Sequence, residues 1–266
     1  MGARRYRIIS TTSPGQPHAL PANDPAQRLG NPSFVWRFGQ QRRMAIVQRY
    51  AVLSGRRVLD LGCGVGEYVR AFERAGALAL GCDIELPRLV EARRRGATGL
   101  AAAAAESLPY RDGSLDVVVL NEVIEHVRDE RATMREVRRV LAPGGVCIVY
   151  APNRLYPFET HGIQLRGRYR FGNFPFVNWL PRRLRDRLVP HARVYGRGDW
   201  RRVLDGSGLE IVAHGYVYPG FDNVAARAPR LARLLRAVCY AAESTPLRRF
   251  GLSHLLVLRR AAAGTP

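Results

Sequence analysis

From residue 57 onward, short runs of consecutive apolar residues alternate with amphipathic stretches. The β-rich runs fall at 57–61, 78–82, 99–103, 115–120 and 145–150. Between them the apolar spacing shifts to the helical period over 67–75, 87–95 and 130–141, and 122–126 reads as a short helix running into a loop. The central strands are apolar on successive residues, as expected of parallel strands covered on both faces. Such alternation predicts an α/β, Rossmann-like doubly wound sheet. Pro143-Gly144-Gly145 is expected to stop the helix before it and turn the chain into the fifth strand. Met44, Val47 and Ala51 predict an entry helix within 34–53, and the core pattern resumes with a helix near 199–207 and strands at 209–217 and 253–258.

Two stretches interrupt this pattern, giving a domain over 34–260 with insertions at 154–198 and 219–251, preceded by an arm at 1–33 rich in Pro, Gly, Ser, Thr and Asn. The first insertion mixes Arg with aromatics, and residues 154–202 hold 12 Arg against 3 acids, with 9 aromatics. It reads as a cap over an acceptor pocket or as a basic face over an aromatic mini-core. The second contains an amphipathic helix, with Leu231, Leu234, Leu235 and Val238 on one face and Arg230, Arg233 and Arg236 beside it.

Charge sharpens the picture. All 42 basic residues of the 266 are Arg, against 22 acids, a formal net charge of +20. Arg-biased codon usage explains the missing Lys but not the excess, which favours anionic partners. The four cysteines (Cys63, Cys82, Cys147, Cys239) show no metal-ligand spacing and read as core residues in a reducing compartment. No apolar run follows the basic start and none reaches the ~18–20 residues of a spanning helix, so neither a signal peptide nor a membrane span is expected. The expectation is a cytoplasmic protein, with peripheral contact to an anionic membrane left open.

Candidate chemistry begins at Val58-Leu-Asp-Leu-Gly-Cys-Gly-Val-Gly66, an apolar strand entering a glycine-rich turn and then a helix. A dinucleotide site wants G-x-G-x-x-G with pyrophosphate on the helix N-terminus. Here the glycines are 62, 64 and 66, and Asp60 and Glu67 place negative charge where a pyrophosphate would lie. A cationic sulfonium suits that loop better, which disfavours a nicotinamide dehydrogenase. Asp83, 17 residues after Gly66, closes the second strand where an acid can accept ribose hydroxyls.

Together with residues 108–116 (Leu-Pro-Tyr-Arg-Asp-Gly-Ser-Leu-Asp), Val123-Ile-Glu-His126 and Arg139-Val-Leu-Ala-Pro-Gly-Gly145, these motifs resemble those of the class I S-adenosylmethionine-dependent methyltransferases. The nearest subgroup includes the ubiquinone- and menaquinone-biosynthesis enzymes, and the resemblance covers about 44–153 with a weaker echo at 199–217. It implies a seven-stranded sheet whose last strand is antiparallel. It also implies that Gly62, Gly64 and Gly66, with Asp60 and Cys63, wrap the methionine part of S-adenosylmethionine and that Asp83 holds the ribose. Ile84, Ala105 and Glu106 would flank adenine and Asn121 would line the cleft. Ala104 departs from the Asp that relatives often carry there.

Asn121-Glu-Val-Ile-Glu-His126 follows the fourth strand. Read as a helix start, it puts Glu122, Glu125 and His126 at i, i+3 and i+4 on one face. That set resembles the E-x-x-E-H element of plant small-RNA 2′-O-methyltransferases and some quinone O-methyltransferases. It could hold Mg²⁺ or Mn²⁺ with His191 or His161 as a further ligand; in the other reading His126 packs and caps the loop. Glu122 and His126 are the candidate bases. The reaction expected is O-methylation of a small-molecule or lipid-like hydroxyl. Two rivals stand beside it. A nucleic-acid methyltransferase fits the charge, but the Asn/Asp-Pro-Pro-aromatic element of base-amine enzymes is absent at Asn121-Glu-Val-Ile. A non-catalytic cofactor-binding scaffold is the other.

Overall fold

Every side chain of β1 (Arg57–Leu61) after Arg57 is buried, Asp60 included, as a strand covered on both faces requires. In the computed structural model, which describes residues 37–260, β1 lies between β2 (Leu78–Asp83) and β4 (Leu115–Asn121), parallel to both. β3 (Leu100–Ala102) extends the sheet past β2 and β5 (Leu141–Pro152) past β4. β6 (Leu209–Val217) and β7 (Ser253–Arg260) complete seven strands in the order β6-β7-β5-β4-β1-β2-β3, with β7 alone antiparallel to its neighbours. This is the sheet that the family resemblance implies. Strand order reverses between β1 and β4, so a crevice opens at their carboxyl ends, the usual ligand position in such sheets. The arm expected at 1–33 lies outside the described residues.

Helices cover both faces for reasons visible in sequence. α2 (Glu67–Arg74) buries Tyr68, Val69, Ala71 and Phe72. α3 (Leu86–Arg94) buries Leu89 and Ala92. In α4 (Glu130–Val140), Thr133, Met134, Val137 and Val140 form the inward stripe, and Asp129 caps the helix by accepting from the Arg131 and Ala132 amides. The entry helix, α1, spans Phe38–Tyr50 and seats Met44, Ile46 and Val47 on the side of the sheet that α2 covers.

Two local expectations fail. Residues 122–128 form turns rather than a helix, and Glu122 takes a left-handed φ of 58°. Pro143-Gly144-Gly145 does not end α4, which stops at Val140; the three residues sit inside β5. There the register jumps from Leu115↔Leu141 to Val117↔Val146, a bulge that Gly144 allows at φ 74°.

The first insertion folds on itself. Phe158–Glu159 pairs with Phe174–Pro175, Ile163–Leu165 pairs with Arg168–Arg170, and helix α5 (Arg182–Leu188) follows. Its core is aliphatic, built from Ile163, Val177, Val189 and Ala192, whereas Phe171, Phe176 and Trp179 stay exposed. Phe174 packs against this core, so the mini-core held open as one alternative forms chiefly from aliphatic residues. After α6 (Asp199–Leu204) and β6, the second insertion forms α7 (Asp222–Ala225) and α8 (Pro229–Ala242). α8 shows its apolar stripe of Leu231, Leu234 and Val238 to solvent, and among its described residues Ala232 is the one fully enclosed. No helix among the described residues is long and apolar enough to cross a membrane.

Candidate functional site

The crevice floor is the turn after β1. Gly62, Gly64 and Gly66 all have positive φ (78°, 52° and 75°), which only glycine adopts without strain. At Gly62 the reason is also spatial: a Cβ there would stand 2.4 Å from Val123 Cγ2, so the turns after β1 and β4 touch. A Cβ at Gly64 would meet nothing within 4 Å, which leaves that backbone open to a ligand.

Asp83 ends β2 beside this turn, accepting from the Gly64 amide at 2.8 Å and the Glu85 amide at 2.9 Å, one on each carboxylate oxygen. Each oxygen keeps a lone pair for a hydroxyl donor. Asp60 is buried beneath the loop, and burial, then the neighbouring Asp83 charge, pushes its carboxyl up to about 8. A cation entering this crevice would reverse that shift. Glu67 adds little to the local field, because Arg70 at 2.6 Å and Arg95 at 3.4 Å neutralise it. So paired, Glu67 offers a pyrophosphate little opposition. Ile84 is exposed beside Asp83, and Cys63 packs inward. Ala105 packs against the core, while Glu106 accepts from the Arg128 and Asp129 amides and so pins the loop after β4.

Sequence reasoning missed Arg43. From α1 its guanidinium reaches Asn121 Oδ1, Glu122 Oε1 at 2.7 Å and Ser253 Oγ at 2.9 Å, and it lies 4.8 Å over the Tyr150 ring. The Ser253 hydroxyl donates to the same Glu122 oxygen at 2.5 Å. Burial alone would raise the Glu122 pKa, but Arg43 and Ser253 outweigh it and hold this carboxyl below its ordinary value. Glu122 is thus an ionised partner of Arg43. The shared face with Glu125 and His126 does not exist, since the segment is not helical, and Glu122 as metal ligand or base is corrected on that ground. An arginine in a helix of ordinary composition gave no sequence signal.

A different trio does converge. Candidate ligand atoms of Glu125, His126 and His161 all lie within 4.8 Å of one another. Glu125 is buried, neither carboxylate oxygen has a hydrogen-bond partner, and the Nε2 atoms of both histidines stand 3.8 Å from its Oε1. Burial raises the Glu125 pKa. Each imidazole is oriented from outside: His126 Nδ1 donates to the His191 carbonyl (2.9 Å) and His161 Nδ1 to Glu159 Oε1 (2.9 Å). These bonds fix tautomers whose Nε2 lone pairs face inward, the usual arrangement of metal-binding histidines. Arg185, wholly buried, donates to Glu159 Oε2 at 2.7 Å, and against its burial first His161 and then Arg185 hold Glu159 down at about 2. Without a cation, burial works against charging His161, but Glu125 and Glu159 together hold it up to about 10. His191 stands outside the trio, its Nε2 donating to the His161 carbonyl at 3.0 Å. His161 takes the place considered for it.

The loop carrying Glu125 and His126 is clamped by the chain just after the first insertion's core. Arg193 donates to the Val127 carbonyl at 2.7 Å and to those of Glu125 and Arg128 at 3.4 and 3.3 Å, and Tyr195 donates to the Ile124 carbonyl at 3.0 Å. The first insertion therefore builds the site's outer wall and supplies one of its three side chains.

Residues 59–149 match the family model of the methyltransferase domain. The chain is 33% identical over 174 residues to a ubiquinone biosynthesis O-methyltransferase of Methylococcus capsulatus, an alignment covering 59% of this chain and 72% of that protein. It is 34% identical over 128 residues to a demethylmenaquinone methyltransferase of Parafrankia sp., covering 40% and 50%. Among solved structures, an S-adenosylmethionine-dependent methyltransferase from Mesorhizobium loti superposes with a TM-score of 0.57 at 24% identity, over 81% of this chain and 96% of that one. At that identity the likeness speaks for the fold alone.

Proposed function

Because the chain belongs to the S-adenosylmethionine-dependent methyltransferases, we propose that it methylates a hydroxyl oxygen of a small-molecule or lipid-like acceptor, aided by a divalent cation at Glu125, His126 and His161. The observation that carries this reading is Glu125, whose two buried oxygens accept no hydrogen bond and face two outward-anchored imidazoles. Without a metal the His161 imidazolium, 3.8 Å away, balances an ionised Glu125, and a divalent cation would take over that role while drawing in all three side chains. Oxygen and imidazole donors together suit Mn²⁺ and tolerate Mg²⁺.

S-adenosylmethionine, when bound, supplies a methyl group made electrophilic by its sulfonium. The open backbone at Gly64 and the spare lone pairs of Asp83 fit the methionine part and the ribose, and exposed Ile84 offers adenine an apolar face. Asp60 and Asp83 favour the cofactor's positive charge. Transfer of that methyl to an acceptor oxygen would break the carbon–sulfur bond and cancel the sulfonium charge. A dry, aligned crevice favours such charge cancellation. A divalent cation at the trio would polarise the acceptor hydroxyl, most readily one of two adjacent oxygens as in a catechol. The Glu125 oxygen not needed to hold the cation would be free to accept the hydroxyl proton. The exposed Phe171, Phe176 and Trp179 among arginines offer an amphiphilic acceptor, or an anionic membrane carrying it, a matching surface. Binding to anionic vesicles that equals binding to neutral ones would exclude the membrane.

Mn²⁺ binding followed by electron paramagnetic resonance tests the centre. Glu125→Gln and His161→Ala should each weaken it at least about tenfold and leave S-adenosylhomocysteine affinity unchanged. Turnover on a panel of catechols should stop with chelator and return with Mg²⁺ or Mn²⁺. Full turnover by a verified metal-free preparation would refute the metal, and product from amine or carbon acceptors alone would refute oxygen transfer.

A further inference from the structure

At the outer edge of the sheet, three strands from the cofactor crevice, lies a cleft of about 500 Å³ that the methyltransferase reading does not use. Arg197, Arg248 and Arg249 line it, with Tyr216 and Leu155 as apolar walls and Ser244 and Thr245 at its border. No acid is among its lining residues. Elsewhere the arginines of this chain are commonly spent on carboxylates or carbonyls. The side chains of Arg197 and Arg248 have no hydrogen bond or ion pair among the described residues, and Arg249 gives only Nε, to the Pro246 carbonyl at 3.2 Å.

The field they make registers on a neighbour. His214 lies against Tyr216, ring centroids 5.4 Å apart, and its Nε2 is bonded to His254 Nδ1 at 2.9 Å. Since His254 Nε2 donates to the Tyr195 carbonyl (2.8 Å), its Nδ1 is the acceptor and His214 Nε2 the donor. Burial first, then His254, Arg197 and Arg248, push His214 down to about 4. Two guanidiniums therefore bear on this ring with no acid among the causes of its shift.

We infer that this cleft is a phosphate site, taking the phosphate ester of a small organic molecule or of a lipid headgroup. Three guanidinium forks around one space suit a group with three or four acceptor oxygens, whereas a single carboxylate occupies one fork. The cleft has room beyond the phosphate for the organic group it esterifies, which Tyr216 and Leu155 would flank. Both sources are chemically open, because the same segment that carries Arg248 and Arg249 also carries Leu247, exposed like Leu234 and Val238 of α8. A lipid held by its phosphate would have apolar side chains nearby.

The double variant Arg197→Ala/Arg248→Ala is the test, since both side chains are exposed and unpartnered and their loss leaves no buried group behind. At low salt, glycerol 3-phosphate binding is measured by calorimetry, with the ¹⁵N shifts of His214 as the local reporter; vesicles of phosphatidic acid in phosphatidylcholine form the second arm. If the source is soluble, glycerol 3-phosphate saturates the wild type, moves the His214 pKa upward, and binds at least about tenfold more weakly to the double variant. If the source is a lipid headgroup, glycerol 3-phosphate does not saturate, and phosphatidic-acid vesicles retain the wild type but release the double variant. Equal behaviour of the two proteins in both arms, with His214 unmoved, overturns the site. Neither arm depends on methyl transfer, so its failure leaves the proposed activity untouched, and the reverse holds too.

Discussion

Replacing Arg43 by Met would separate the position of Glu122 in the structure from the catalytic position its sequence suggests. The substitution keeps volume over Tyr150 but removes the cation from a cluster of Asn121, Glu122 and Ser253. Breaking a fully enclosed pair typically costs 3–5 kcal/mol; with 15% of the Arg43 and 20% of the Glu122 side chain still exposed, about 2–3 kcal/mol is expected here. The pH dependence should invert. In the native protein Glu122 sits below its ordinary 4.5, so its contribution is complete above that value and is lost as pH falls through the lower, folded value. Without Arg43, burial dominates, the folded pKa rises above 4.5, and stability falls as pH climbs through that window instead. Urea unfolding of wild type, Arg43→Met, Glu122→Gln and the double variant from about pH 2.5 to 8 forms the cycle. The double variant should regain most of the loss, because no uncompensated charge remains. Additive losses, or a wild-type pH profile retained in Arg43→Met, would refute the pairing and return Glu122 to the list of available carboxylates.

Asp83→Ala should weaken S-adenosylhomocysteine by ~1.5–3 kcal/mol, the scale of hydrogen bonds to a charged group, and unchanged calorimetric affinity would end the ribose assignment. Gly62→Ala combines a φ of 78° with a Cβ 2.4 Å from Val123, so a loss of about 2–4 kcal/mol in denaturant unfolding is expected; a loss below about 1 kcal/mol would mean the two turns do not touch. Asp60, raised from 3.8 to about 8, stabilises the ligand-free fold most below about 4 and loses that contribution as pH rises toward 8. A cationic cofactor draws the proton off, so affinity should climb with pH across that window by up to about tenfold per unit. Calorimetry in buffers of different ionisation enthalpy reads the released proton, and zero release at pH 6 would contradict the assignment.

The parallel core was legible because consecutive apolar residues such as Val117–Leu120 can be buried only with both faces covered. The glycine turn and Asp83 were legible because backbone geometry at a strand end admits few residue types. Glu122 and Glu125 misled for a related reason. Their spacing was read on a helical template, and one left-handed residue at 122 sends the two carboxyls to different partners. Nothing in composition marks Glu122 for that conformation. His161 and Arg43 join the site from 35 residues after His126 and 78 before Asn121, through packing that no local period encodes. The Glu159–Arg185 pair that orients His161 is likewise a contact across the cap.

The absence of Lys has a structural consequence beyond net charge. Arg139 bridges the Tyr110 and Leu108 carbonyls (2.8 and 3.0 Å) as well as Asp112 and Glu136, tying α4 to the loop before β4. Arg193 spans three carbonyls of the turn that presents Glu125 and His126, and Arg185 joins Glu159 to the Val189 and Ala192 carbonyls. Each clamp uses several nitrogens fixed in one plane. A lysine carries its donors on a single atom and cannot span such sets. Folding thus consumes arginines in pinning loops around the crevice. Where such a side chain faces carbonyls, as Arg193 does, it holds a loop without occupying a carboxylate, and the excess of 42 Arg over 22 acids is fixed by composition whatever the pairing. It stays available at the cap surface and at the Arg197–Arg248 cleft, where no carboxylate competes with an incoming anion.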